Sequence, residues 1–141
     1  MTKPRLLIIE DEHDMRSLLT RVLEPAYFVE AVDSAERALD LILSGHTYDV
    51  VLCDMRLEGW SGGDLHKRLV RRGDPHASRF VIISGFDVAA CYPSLEEELG
   101  RPILRKPAEP SLVRAAVAAV LVDEARRRPT VPPPSMVYLR R

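Results

Sequence analysis

The sequence predicts an α/β protein, a three-layer αβα sandwich built on a five-stranded parallel sheet. Two observations carry this. Five short apolar runs, at residues 5–9, 28–32, 50–53, 80–83 and 103–104, recur along the chain, and each is followed by residues at helical spacing. The runs are largely apolar rather than strictly alternating, as strands covered on both faces must be. Such a sheet takes right-handed crossovers and places ligands outside the carboxyl ends of its strands.

Each element has its own signal. Residues 5–9 (Arg5-Leu6-Leu7-Ile8-Ile9) lie between Pro4 and the acids Glu10, Asp11 and Glu12, and read as a buried strand. Met15, Leu18, Leu19, Val22 and Leu23 follow at helical spacing and stop before Pro25. Residues 28–32 form the second strand. Asp33 or Ser34 then caps a helix whose stripe is Ala35, Ala38, Leu39, Ile42 and Leu43, ending at Ser44-Gly45. Val50-Val51-Leu52-Cys53 is the third strand, and Asp54 ends it. Residues 61–70 are helical, with Leu65 and Leu69 on one face. Phe80-Val81-Ile82-Ile83 is the fourth strand, ending at Ser84-Gly85. Residues 93–99 suit a short acidic helix, with Glu96, Glu97 and Glu98 on a solvated face. Ile103-Leu104 starts the fifth strand, which ends at Lys106-Pro107. The longest helical run, residues 111–127, follows Pro110.

Composition sets the limits. The chain has 141 residues, 46% hydrophobic and 29% charged, which is enough for one domain with a real core. We assign residues 1–128 to that domain. The segment Pro129-Thr130-Val131-Pro132-Pro133-Pro134 cannot continue a helix and favours polyproline II, so residues 129–141 read as a tail with no output domain. A net charge of −1 gives no basic excess for nucleic acid. No stretch reads as a signal peptide or a bilayer span, so no membrane association and a cytoplasmic location are expected. Cys53 reads as a small buried hydrophobe and Cys91 as a loop or helix-edge residue, with no metal-ligand spacing between them. The histidines His13, His46, His66 and His76 lie on polar segments and are expected at the surface.

The chemistry gathers at the strand ends. The first strand delivers Glu10, Asp11 and Glu12, the third Asp54, the fourth Ser84 and the fifth Lys106. In a parallel sheet these points converge on one rim. Clustered carboxylates repel unless a cation sits among them, and hard oxygen ligands suit Mg²⁺. A carboxylate can act as the nucleophile that forms an aspartyl phosphate. An ammonium neutralises charge on the transferred group and a hydroxyl donates to it. This assigns Asp54 as the nucleophile and Asp11 as the main metal ligand, with Glu10 acting through water. The Arg56 backbone carbonyl supplies a further oxygen, and Lys106 and Ser84 bind the phosphoryl group. Read singly, each residue has a plainer role: a helix cap for Asp54 or Ser84, first-turn acids for Glu10-Asp11-Glu12, a surface lysine for Lys106.

At these residues the chain resembles the response regulator receiver family. The carrying segments are Leu6-Leu7-Ile8-Ile9-Glu10-Asp11-Glu12, Val51-Leu52-Cys53-Asp54 followed by Gly62, Ile82-Ile83-Ser84-Gly85 and Leu104-Arg105-Lys106-Pro107. The resemblance spans about residues 4–125. It implies a flavodoxin-like (βα)5 fold with strand order 2-1-3-4-5, a cis Lys106-Pro107 peptide, and a Mg²⁺ requirement. It also implies phosphoryl transfer to Asp54 from a sensor histidine kinase or a histidine phosphotransfer protein. The phosphorylated domain would signal to a downstream protein partner, as a monomer or weak homodimer and not as an enzyme.

Three positions depart from the family pattern. Glu58 stands where the loop after the acceptor usually carries proline. Ser84 replaces the frequent threonine. Ile103 replaces the aromatic switch residue three positions before the lysine, so the response is expected to be led by Ser84 and residues 85–93. Other functions fit less well. An aspartyl-nucleophile phosphatase of the haloacid dehalogenase type needs an acid two residues after the nucleophile, where this chain has Arg56. A flavodoxin-type flavin module needs a hydroxyl- and glycine-rich phosphate loop where this chain has Glu10-Asp11-Glu12. A receiver-like interaction module that works without phosphorylation keeps the fold; the acidic set with Ser84 and Lys106 argues against it, while Ile103 leaves it open.

Overall fold

A computed structural model describes residues 2–127 of the chain; the tail assigned to residues 129–141 lies outside the described residues. The elements run β1 (Arg5–Ile9), α1 (His13–Leu23), β2 (Phe28–Val32), α2 (Ala35–Leu43), β3 (Val50–Asp54), α3 (Gly62–Arg71), a 3₁₀ turn (Pro75–Arg79), β4 (Phe80–Ser84), α4 (Val88–Cys91), α5 (Leu95–Leu99), β5 (Leu104–Arg105) and α6 (Pro110–Arg127). The strands form one sheet of order β2-β1-β3-β4-β5, and every pairing is parallel. This is the expected strand order and the flavodoxin-like fold.

Strand pleating divides the core in two. Leu7, Ile9, Val51, Cys53, Phe80 and Ile82 point to one face, where Ala38 and Ile42 of α2, Leu65 and Leu69 of α3 and Leu95 and Leu99 of α5 cover them. The alternate residues Leu6, Ile8, Val50, Leu52, Val81 and Ile83 point to the other face, under Leu19 and Leu23 of α1 and Val113, Val117 and Val120 of α6. All five residues of β3 and of β4 are buried. Apolar side chains on both faces hold the central strands rigid, and their carboxyl ends inherit that rigidity.

Local signals set the helix boundaries. Ser34 rather than Asp33 caps α2, accepting from the Arg37 amide. Ser61 caps α3 through a reciprocal capping box with Asp64, so the helix starts at Gly62 rather than at Ser61. Pro110 opens α6, one residue earlier than expected, at a position that suits a residue without an amide proton.

Three readings need correction. His66 and His76 are buried, at 2% and 4% exposure. The His66 Nε2–H donates to the Ala77 carbonyl at 3.0 Å, and its ring meets Phe80 edge-on. His76 Nε2 accepts from the Tyr48 amide at 3.0 Å, while its Nδ1–H donates to Asp74 at 2.7 Å. Imidazole has an apolar face and polar edges; both ring nitrogens of His76 find partners, and His66 pairs one nitrogen and packs its ring on Phe80. The 3₁₀ turn and α4 were not anticipated; each is a few residues long and capped by an aspartate side chain, Asp74 and Asp87. β5 starts at Leu104, leaving Ile103 just ahead of it and half-buried against the core. Glu96, Glu97 and Glu98 are exposed as expected, and the Glu96 carboxylate also accepts from the Ile103 amide at 3.1 Å.

Candidate functional site

β1, β3 and β4 end side by side, and the turn after β5 joins them through the Lys106 amide, which donates to the Ser84 carbonyl at 2.8 Å. The rim brings Glu10, Asp11, Asp54 and Lys106 together. One oxygen each from Glu10, Asp11 and Asp54 lies within 4.8 Å of the others. Glu10 and Asp54 are buried, at 1% and 5% exposure, while Asp11 opens to solvent. Lys106 Nζ donates to Asp54 Oδ2 at 2.6 Å and to Glu10 Oε1 at 2.8 Å. The Lys106-Pro107 peptide is cis.

The β3–α3 loop frames the acceptor. The Arg56 amide donates to Asp54 Oδ1 at 3.0 Å, so both carboxylate oxygens of Asp54 are engaged. The Glu58 amide donates to Asp11 Oδ2 at 3.2 Å, tying the loop to the β1 end. Gly62 lies against the Asp54 backbone: a Cβ there would sit 2.5 Å from the Asp54 carbonyl oxygen.

The electrostatics follow from one ammonium shared by two carboxylates. Burial, then the neighbouring Asp54, pushes the Glu10 carboxyl up to about 8, and Lys106 only partly offsets this. Burial works against the Lys106 charge, but hydrogen bonds to Asp54 and Glu10 outweigh it and hold the ammonium above its usual value. Burial, then the charges of Asp54 and Glu10, drives the Cys53 thiol well up, which keeps it protonated and inert. Glu10 Oε2 is buried with no hydrogen-bond partner. An orphaned carboxylate oxygen in an all-oxygen cluster fits a small divalent cation.

Ser84 lies at the end of β4, as its sequence position implies. It is fully buried, and its hydroxyl both donates to the Phe86 carbonyl and accepts from the Phe86 amide, each at 3.1 Å. The hydroxyl is engaged within its own loop. The structure also reveals supports that sequence reasoning missed. Arg16 Nη1 donates to the Glu10 carbonyl at 2.9 Å, and Glu36 accepts from the Trp60 amide at 2.9 Å. Arg16 lies six residues after Glu10, on the first turns of α1, and that proximity was the only available signal. Glu36 lies far from Trp60 in sequence and gave none. Arg56 stacks its guanidinium on the Phe86 ring at 4.9 Å.

Comparison with known proteins agrees with this arrangement. The family model described as response regulator receiver domain matches residues 6–118. The two-component response regulator ORR5 of Oryza sativa subsp. japonica is 29% identical over 119 residues, 84% of this chain and 89% of that protein. The sensory/regulatory protein RpfC of Xanthomonas campestris pv. campestris is 30% identical over 122 residues, 84% of this chain and 16% of that protein. Among solved structures, a CheY-like response regulator receiver domain from Methylobacillus flagellatus aligns with a TM-score of 0.70 at 26% identity, covering 84% of this chain and 99% of that one. With the strand order, the acidic rim and these matches together, the chain belongs to the response regulator receiver domain family of two-component systems.

Proposed function

We propose that this receiver accepts a phosphoryl group on Asp54, with Mg²⁺ bound at the acidic rim, and changes shape to signal to a protein partner. The observation that carries the reading is the convergence of Asp54, Glu10 and Asp11 within 4.8 Å, with Lys106 held 2.6 Å from Asp54. Asp11, Asp54 and the Arg56 carbonyl would hold the ion, with Glu10 acting through a water. The bound ion supplies positive charge to offset that of the carboxylates and of the incoming phosphoryl oxygens.

The protein's own residues do the rest. Lys106 and the Arg56 amide fix the Asp54 carboxylate for attack on phosphorus. An Asp54 oxygen forms the new P–O bond as the P–N bond to a donor histidine breaks, and that bond's electron pair returns to the imidazole. Lys106 then moves from carboxylate to phosphoryl oxygen. The Ser84 hydroxyl, once released from Phe86, donates to a second phosphoryl oxygen. The donor would be a sensor histidine kinase or a phosphotransfer protein in the cytoplasm. Among the described residues no helix is long and apolar enough to cross a membrane. Arg56 stands two residues after Asp54 in place of a second acid, so the reading is a signalling switch and not a phosphatase.

The test is incubation with a small acyl phosphate donor, with and without Mg²⁺. The proposal expects one phosphoryl group per chain, only with Mg²⁺, and none on Asp54→Asn. Full labelling of Asp54→Asn would overturn it.

A further inference from the structure

We propose that Arg56 and Phe86 form a latch that holds the Ser84 hydroxyl on the Phe86 peptide and so sets how readily the site captures a phosphoryl group. The inference rests on Asp54 being the phosphoacceptor. It starts from the proton inventory of Ser84. A hydroxyl has one proton to donate, and here it goes to the Phe86 carbonyl while the Phe86 amide donates back to the same oxygen. Ser84 is fully buried. To serve a phosphoryl oxygen, the hydroxyl must withdraw its one proton from the Phe86 carbonyl, and movement of the hydroxyl toward the phosphoryl group also draws it off the Phe86 amide.

Phe86 is held from outside. The Arg56 guanidinium lies 4.9 Å from the ring centroid, within cation–π range. The half-buried Phe86 side chain also packs against the core cluster under α2, α3 and α5. Arg56 is itself anchored beside the acceptor, because its amide donates to Asp54 Oδ1. One contact therefore joins the loop after β3 to the loop after β4, and the Ser84 hydroxyl lies behind it. Release of Ser84, displacement of Phe86 and loss of the Arg56 stack form a single movement. Phe86 and Arg56 are positioning residues, acting through Ser84. Ile103 is aliphatic, and Phe86 is an aromatic residue whose backbone amide and carbonyl are hydrogen-bonded to the Ser84 hydroxyl.

A binding-competent state that is only partly populated lowers the apparent rate of capture by its population. An exposed cation–π contact shifts such a population about two- to five-fold. Phe86→Leu keeps an apolar side chain and leaves the charge of the site unchanged, removing only the ring face. The latch predicts that the Phe86 amide exchanges with solvent deuterium about two- to five-fold faster in Arg56→Ala than in wild type. It predicts that Phe86→Leu is labelled faster than wild type by a similar factor, and that the gain disappears when Ser84 is also changed to Ala. Unchanged exchange at Phe86 would overturn the latch, as would a gain that persists without the Ser84 hydroxyl. If wild type is not labelled at all, the phosphoacceptor reading fails and the latch loses its function. The exchange measurement still decides separately whether the contact holds the loop.

Discussion

Two adjacent glycines at the start of α3 should respond oppositely to the same substitution. A methyl group at Gly62 would lie 2.5 Å from the Asp54 carbonyl oxygen and 3.2 Å from its carbonyl carbon. Those are backbone atoms of a buried strand and cannot move aside. A methyl group at Gly63 would lie 2.8 Å from Met55 Cε, the tip of a flexible thioether that can rotate away. Overpacking a rigid site costs about 1–3 kcal/mol. The gain in helix propensity from Gly to Ala is at most about 1 kcal/mol. Gly62→Ala should therefore be net destabilised, by up to about 2 kcal/mol. Gly63→Ala should be neutral or stabilised by up to about 1 kcal/mol. At this chain length each kcal/mol moves the melting temperature by about 3–5 °C. Thermal unfolding followed by circular dichroism separates the two. Phosphoryl capture should also slow in Gly62→Ala, because the crowded atom belongs to Asp54. A Gly62→Ala protein as stable as Gly63→Ala would refute the reasoning that α3 closes directly on the acceptor's backbone.

Three further outcomes follow. Lys106→Met leaves Glu10 and Asp54 without their shared ammonium, and labelling with an acyl phosphate should fall by about 10²–10³, as for loss of a charge-stabilising donor. Mg²⁺ at about a hundred times its dissociation constant should stabilise wild type by about 2.7 kcal/mol. Asp11→Ala should lose most of that stabilisation yet melt no earlier than wild type without metal, because it relieves repulsion in the cluster; Trp60 fluorescence can follow the titration. Burial, opposed by the Ala77 hydrogen bond and by Glu98, lowers the pKa of His66. Its contribution to stability is therefore present above the unfolded value of about 6.5 and is lost as pH falls through the lower folded value. Unfolding midpoints in denaturant between pH 7.5 and 5 should drop less steeply in His66→Gln than in wild type.

The sheet was legible because its signal is redundant. Each strand of the core is a near-continuous apolar run, and Asp54, Ser84 and Lys106 fall where those runs end or just beyond. Parallel pairing then converts sequence position into spatial convergence, which is why Glu10, Asp11, Asp54 and Lys106 could be named together. What stayed hidden depends on long-range contacts. The burial of His66 and His76 rests on partners at Ala77 and Tyr48, and those partners appear only once α3 and the 3₁₀ turn are docked. Two short helical segments were too brief to show a period. The direction of the Ser84 hydroxyl is a rotamer choice, and residue type alone cannot specify it. Glu36 and Arg16 act by pinning backbone groups across the rim, a role open to many polar residues and marked by no motif.

The central claim is that the Asp54 carboxylate becomes an acyl phosphate. Borohydride reduces an aspartyl phosphate to homoserine, so treatment after phosphorylation writes the modified position into the sequence of a peptide. The account predicts homoserine at position 54 in protein exposed to both Mg²⁺ and phosphodonor, and unmodified aspartate when either is withheld. Homoserine at Asp11, or a phosphoryl group recovered on a histidine with Asp54 unreduced, would contradict it.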